Sequence, residues 1–533
     1  MNEFRQAAVR VSVAMLGGPL EPDAVKAFAD RGYALTAYTD ADLATTEAVI
    51  IVQRADKPLG VFHALQAHAK KILDHGCSIY VRVIDHPKLD MRALVVNSLR
   101  SLNLPSAGLT SPEQRTLSTA QEDRERVEHM PAVCVCRAAF SWGEIANWVF
   151  RNPAGNPPNL GLDIVATSNK GVSVALEPGK ILLLQRAFFD CAKIELQEMV
   201  DGLSEARVYR VHAVLREGLL GKWPFLSFVK IGPRQRIETE FGRYQGVAIS
   251  YIPFHLGPRL NFSRCCVGGE FGLLLGDFVK GAEPLRDAAS GGRAGVAVAH
   301  LFNETLAAWR NAAKVEDLAL LKSFPVPMRG SIPAHRAERI KNLGSRLTLP
   351  EAVALLEKLD STPTLVGPVH GDLHATNVLV RGTDAIVIDF DRVTDGKALL
   401  FDLASLEGGL LVEGFGRDRR LNDPITLNQW LESVLTLYDC PCADLLNWRV
   451  RCHASDGSSW FHDCVRQIRM QAAQLQAQPK QYAAALGFCL LNKACNSHEF
   501  EEDAFETLRA AAYVLAERLL ERANAPEGSS VNS

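Results

Sequence analysis

The chain has 533 residues, 47% of them apolar, and its 58 Lys and Arg against 61 Asp and Glu give a formal net charge of −3. That balance lacks the global basic surface that nucleic-acid binding draws on, and the length exceeds one ordinary domain. The twelve cysteines fall in no CxxC pairs at zinc spacing and no apolar run has membrane-spanning length, so the expectation is reduced, buried thiols in a soluble cytoplasmic protein with no nucleic-acid or membrane partner.

From the N-terminus, residues 9–15, 34–38, 48–52 and 77–84 read as strands, residues 21–30 and 61–74 read as helices between them, and a strand at 132–136 and a helix at 142–150 follow. Strands alternating with helices pack as a parallel sheet, so residues 1–152 are expected to form an α/β Rossmann-like domain, similar in pattern to receiver or flavodoxin modules. The chemistry of a phosphorylatable receiver is missing. Val52-Gln53-Arg54 stands where an acceptor aspartate would, and Leu16-Gly17-Gly18 after the first strand is neither acidic nor GxGxxG. A structural or partner-sensing role is expected, with a protein partner bound through this domain, and a small-molecule site is the alternative. The polar stretch 111–129 reads as a surface linker or exposed helix, and the Pro, Gly and Asn cluster at 152–159 marks a boundary.

Residues 207–215, 225–231 and 271–275 are strand-like, with a helical segment at 234–244. Lys230 sits near the end of the second of these strands, among Phe228, Val229 and Ile231. An ammonium there needs an anionic partner or an exposed end, because burying it unpaired is costly. From residue 283 the pattern turns mostly helical, as at 296–312, 349–359, 426–438, 460–476, 482–494 and 500–522.

Within that helical half lies His370-Gly371-Asp372-Leu373-His374-Ala375-Thr376-Asn377, then two short strands joined by a tight turn at residues 381–384, then Ile388-Asp389-Phe390-Asp391. A hairpin of this kind brings Asn377 and Asp389 to one rim although they lie twelve positions apart. Phosphoryl transfer from ATP needs a carboxylate that orients an attacking hydroxyl and hard oxygen ligands for Mg²⁺. Asp372, Asn377 and Asp389 are groups of those kinds.

The pattern HGDLHxxNxLV followed by IDFD resembles the aminoglycoside phosphotransferase and choline kinase group, whose folds are related to protein kinases. The resemblance covers about the last two-thirds of the chain. It implies an α+β, two-lobed kinase-like fold, with a small nucleotide lobe at 162–282 and a helical large lobe at 283–525. It implies that Asp372 is the catalytic base, that Asn377 and Asp389 bind Mg²⁺, and that His370 and Asp402 brace the loop. Lys230 would hold ATP phosphates with Glu240 as its helix partner, Glu238 being the competing choice. Gly202 and Ser204, before the strand at 207, would form the turn over the phosphates. The expected function is an ATP- and Mg²⁺-dependent kinase acting on a small-molecule or protein hydroxyl, in a layout similar to bacterial signalling proteins. The alternative is a nucleotide-sensing kinase-like scaffold with little turnover.

Overall fold

The computed structural model describes residues 10, 12–53, 57, 59–83, 90–104, 106–108, 131–136, 139–152, 155–199, 206–216, 224–290, 292–413, 424–447, 459–475, 477–497 and 503–526. The linker at 111–129 and the phosphate-turn residues Gly202 and Ser204 lie outside them. The chain divides into two compact units, Met1–Gly242 with Arg259–Phe278, and Arg243–Pro258 with Val279–Ser533.

The first unit opens with β1 (Ser12–Leu16), α1 (Pro22–Ala29), β2 (Ala34–Ala37), β3 (Thr46–Val52), α2 (Gly60–Asp74), β4 (Ser78–Arg82), α3 (Met91–Ser101), β5 (Ser106–Gly108), β6 (Val133–Cys136) and α4 (Trp142–Arg151). The strands form a parallel sheet in the order β2-β1-β3-β4-β6-β5. Runs such as Val49-Ile50-Ile51 suit a sheet covered on both faces, because neither alternate side chain meets water. One face packs Val49, Ile51, Ile79 and Val81 against α2 and α3, and the other packs Val13, Ile50 and Tyr80 against α1 and α4. Helix α4 starts at a reciprocal cap between Ser141 and Glu144.

A second sheet in the same unit contains β7 (Asp163–Thr167), then α5 (Pro178–Ala187), β8 (Cys191–Glu198), β9 (Arg207–Leu215), β10 (Pro224–Pro233), α6 (Arg234–Arg243), β11 (Cys266–Val267) and β12 (Phe271–Asp277). Its order is β11-β12-β10-β9-β8-β7, antiparallel throughout except for the β7–β8 pair, which α5 connects. Helix α6 lays Ile237 and Phe241 on Cys265, Val267 and Leu274. Gly272 permits this close approach, since a Cβ there would stand 2.7 Å from the Ile237 Cβ.

A buried polar seam joins the two sheets. Arg186 of α5 donates to the Val267 carbonyl at 2.7 Å and the Leu73 carbonyl at 3.5 Å. Asp74 accepts the Gly269 N–H at 2.9 Å, and Arg10 donates to the carbonyls of Gly76 and His75 at 2.6 and 2.8 Å. Desolvation lowers the Arg186 pKa and raises that of Asp74, a penalty opposed by the Gly269 N–H bond to Asp74 and by the attraction between the two charges.

The second unit carries two three-stranded sheets. One contains β13 (Glu283–Pro284), β16 (Val378–Arg381) and β17 (Asp384–Val387), in the order β13-β16-β17. The other contains β14 (Lys314–Glu316), β15 (Thr364–Val369) and β18 (Thr394–Ala398), in the order β14-β15-β18. Around them pack helices Leu400–Glu413, Ser459–Gln474, Pro479–Ala494 and Asp503–Asn524. Inside this bundle Glu407 accepts Arg469 at 2.7 Å and the Tyr482 hydroxyl at 2.6 Å, so the buried carboxylate is paired and hydrogen-bonded. The helix expected over 296–312 is broken. Ala294–His300 runs into a π-helical turn, Leu301–Thr305, before Ala307–Asn311, and the Thr305 hydroxyl donates to the Ala385 carbonyl at 2.5 Å. No described helix is long and apolar enough to cross a membrane. Among the described residues nine cysteines are free and buried, and Cys440 and Cys442 are free and intermediate.

Candidate active site

The side chains singled out in the sequence fall into two groups among the described residues, one in each unit. In the first unit, Lys230 projects from β10, which is held by β9 at Val208 and by β12 at Leu274. Its Nζ lies 2.8 Å from Glu240 Oε2, and each side chain keeps only 7% of its surface exposed. Glu238, the competing partner, instead lies 3.4 Å from Arg234 on the same helix. The local cause is helical spacing. Glu240 shares the inward face of α6 with Ile237 and Phe241, whereas Glu238 faces elsewhere and is less buried.

The second group is the loop from His370 to Asn377 with the hairpin after it. The hairpin pairs Val378 with Val387 and turns at Gly382. Beyond the ladder the Ile388 N–H donates to the Asn377 carbonyl at 3.0 Å, which sets Asn377 beside the residue preceding Asp389. The loop itself is pinned from below. Asp402, at the start of helix Leu400–Glu413, accepts the backbone N–H groups of His370 and Gly371 at 2.6 and 3.0 Å. Burial pushes the Asp402 carboxyl up, opposed by His370 and by those two N–H groups. The fully buried His370 ring places Nε2 3.0 Å from the Ile388 carbonyl, so the ring donates there and ties the loop to the hairpin.

Gly371 has φ +75°, and a Cβ on it would meet the Arg392 carbonyl at 2.6 Å. Only a bare backbone fits. The result presents the Asp372 carboxylate outward, 47% exposed, with Arg392 Nε 3.6 Å away. The Asn377 side chain is buried and its Nδ2 donates to the Asp372 carbonyl at 3.0 Å. That bond commits the amide nitrogen and leaves the amide oxygen as the donor atom for a cation. Asp389 adopts φ +65°, a left-handed conformation uncommon for non-glycine residues, though Asp and Asn visit it more readily than most.

These oxygens fit magnesium. Mg²⁺ takes few protein ligands and completes its shell with water and phosphate oxygens. One amide and one carboxylate at adjoining ends of a hairpin match that pattern better than a dedicated cage would. His374 places Nδ1 2.8 Å from the Thr376 hydroxyl and is a packed loop residue.

Sequence reasoning did not single out Arg392. It lies three residues past Asp389 in a turn, and neither charge pattern nor periodicity connects it with Asp372. The contact arises through the approach of the backbone at Gly371, which no local signal announces.

Residues 294–495 match the family described as Ternary complex associated domain 9, a span of less than half the chain. No curated protein matches. Among solved structures the chain is similar to amicoumacin kinase in complex with AMP-PNP and Ca²⁺, at 14% identity over 60% of this chain and 87% of that one, with a TM-score of 0.31. It is also similar to an aminoglycoside phosphotransferase from Streptomyces rimosus, at 18% identity over 54% and 97% of the two chains, TM-score 0.29. A third is a glucosamine kinase in complex with glucosamine, ADP and inorganic phosphate, at 14% identity over 61% and 92%, TM-score 0.31.

Proposed function

We propose that the protein is an ATP- and Mg²⁺-dependent phosphotransferase of kinase-like fold that moves the γ-phosphate to a hydroxyl group. One observation carries this reading: an outward carboxylate, Asp372, on a loop fixed by Asp402, with the Asn377 amide donating to the Asp372 backbone carbonyl and the Asn377 carbonyl accepting the N–H of Ile388, the residue before Asp389. Asp372 orients the acceptor hydroxyl and takes its proton as the new oxygen–phosphorus bond forms and the bond to the ADP oxygen breaks. Lys230 binds the phosphates. Glu240 holds its ammonium in place beforehand, so little side-chain freedom remains to be lost on binding. Asn377 and Asp389 would hold Mg²⁺, which neutralises phosphate charge when bound.

The acceptor is a small-molecule or protein hydroxyl. The N-terminal α/β domain, whose strand order β2-β1-β3-β4-β6 supports a receiver- or flavodoxin-like module, has a structural or partner-sensing role. The layout supports a bacterial signalling setting and a cytoplasmic location, where ATP is available.

The test uses the full chain with γ-labelled ATP and fractionated metabolites and proteins as acceptors. Transfer should be abolished by Asp372→Asn while Mg·ATP binding persists. Binding without consumption across all fractions would favour the nucleotide-sensing scaffold, and absence of Mg·ATP binding would overturn both readings.

A further inference from the structure

We infer that Arg234 is a positioning residue of the phosphotransferase site, setting the helix that carries Glu240 from the carbonyl end of α3 in the N-terminal α/β domain. The inference rests on the phosphotransferase reading for the role of Glu240. Arg234 is the first residue of α6, and its guanidinium, buried with the side chain 6% exposed, donates to the backbone carbonyl of Asn103. Its own N–H donates to the Glu270 carbonyl at 2.8 Å, and Glu270 pairs in turn with Lys70 of α2. The start of α6 is therefore held by two segments that lead back to the first sheet.

The placement makes little sense for α6 alone. A cation in the first turn lies at the positive end of the helix dipole, where carboxylates are favoured, and α6 has no acidic residue in that turn. Burial of the guanidinium adds a desolvation penalty, relieved in part by Glu238 at 3.4 Å. The placement does suit α3. That helix ends with Asn103 at φ +50° and a Leu104 N–H bond back to the Leu99 carbonyl at 3.0 Å, a glycine-type cap filled here by asparagine. Its carbonyl end is the negative pole, and Arg234 supplies the cation that complements it. One side chain thus locks the end of α3 to the beginning of α6. Glu240 lies six residues further on, about 9 Å along the axis, with buried Ile237 between them seated against β12. A helix fixed at its first turn and seated at its middle delivers Glu240 to Lys230.

The experiment is a double-mutant cycle in the full chain, read by calorimetric titration with Mg·ADP. Arg234→Gln should weaken Mg·ADP binding by about tenfold, and Arg234→Lys should recover most of that loss. In a Glu240→Gln background the same Arg234→Gln change should have less than about a twofold effect, because its route of action is already gone. Additive losses, or parental affinity in Arg234→Gln, would overturn the inference. Hydrogen exchange of the Ile237 and Phe241 amides, measured without nucleotide, reads the helix independently of any activity. Faster exchange in Arg234→Gln is expected, and unchanged exchange would sink the positioning role. Parental protein that binds no Mg·ADP, combined with faster exchange in the variant, would remove the phosphotransferase reading and leave the mechanical link intact.

Discussion

Breaking the Lys230–Glu240 pair from either side should cost more than removing it altogether. The charges are 2.8 Å apart with 7% of each side chain exposed, so at an effective dielectric near 20 their attraction is about 6 kcal/mol. Desolvating two ions costs several kcal/mol each, which leaves the intact pair near break-even. Lys230→Met strands a buried carboxylate and Glu240→Leu strands a buried ammonium, and each should destabilise β10 and α6 by about 3–5 kcal/mol. The double variant replaces both charges with apolar groups of similar size and should lie within about 1–2 kcal/mol of the parent. Native-state hydrogen exchange at Val229, Ile231, Ile237 and Phe241 measures this locally, which matters in a chain of two units whose global unfolding need not be two-state. On the proposed phosphotransferase reading the double variant should also bind Mg·ATP poorly despite its regained stability, since the cation assigned to the phosphates is gone. Single-variant costs that add up to that of the double variant within about 0.5 kcal/mol would refute the reasoning, because the two groups would then not be coupled.

Asp389→Asn should weaken the Mg²⁺-dependent part of ADP binding by about tenfold while leaving Mg²⁺-free binding unchanged, and Asp372→Asn should change neither; equal losses in a titration with and without Mg²⁺ would reverse the role assignment. Burial works against ionised Asp190, yet the two Arg264 bonds at 2.8 and 2.7 Å and the guanidinium charge outweigh it, so its pKa is lowered from 3.8. With the folded pKa below the unfolded one, the pair's contribution is present above pH 3.8 and is lost as pH falls through the folded value. Asp190→Asn should therefore lower the thermal midpoint of the first unit at pH 7 and match the parent in strong acid, as a pH series of melts would show. A fragment of residues 162–533 leaves Arg186 without the Leu73 carbonyl and uncovers the seam around Gly269, so it should elute from gel filtration as aggregate; a monodisperse fragment would mean that the seam contributes little.

Much of the candidate site could be read locally. His370-Gly371-Asp372, Asn377 and Asp389 lie within twenty residues, and strand alternation around a tight turn is enough to set Asn377 beside the residue preceding Asp389. The Lys230–Glu240 pair was legible for a related reason: a lysine inside an apolar strand has to find an anion, and the next helix offered two. The strand and helix alternation likewise gave the parallel N-terminal sheet, because both faces of Val49-Ile50-Ile51 are apolar. What stayed hidden depended on distant backbone. The carbonyls of Leu73, Gly76 and Asn103 bind arginines far away in sequence, and a peptide carbonyl leaves no residue-specific trace. The π turn at Leu301–Thr305 left no local signal for the same reason, since the Thr305 hydroxyl donates to the distant Ala385 carbonyl.

The left-handed backbone at Asp389 narrows the routes by which this chain could lose its chemistry and keep its shape. At φ +65° a β-branched or bulky replacement is penalised by its own Cβ, whatever it does to a cation. Glycine and asparagine alone sit there at low cost, and asparagine also keeps an oxygen in place. Under the proposed function, a descendant that abandoned phosphoryl transfer while retaining its core would thus be expected to carry Gly or Asn at this position, and one carrying Val or Ile would have had to rebuild the turn around it. Conformation acts here as a filter on inheritance, set by a single dihedral angle.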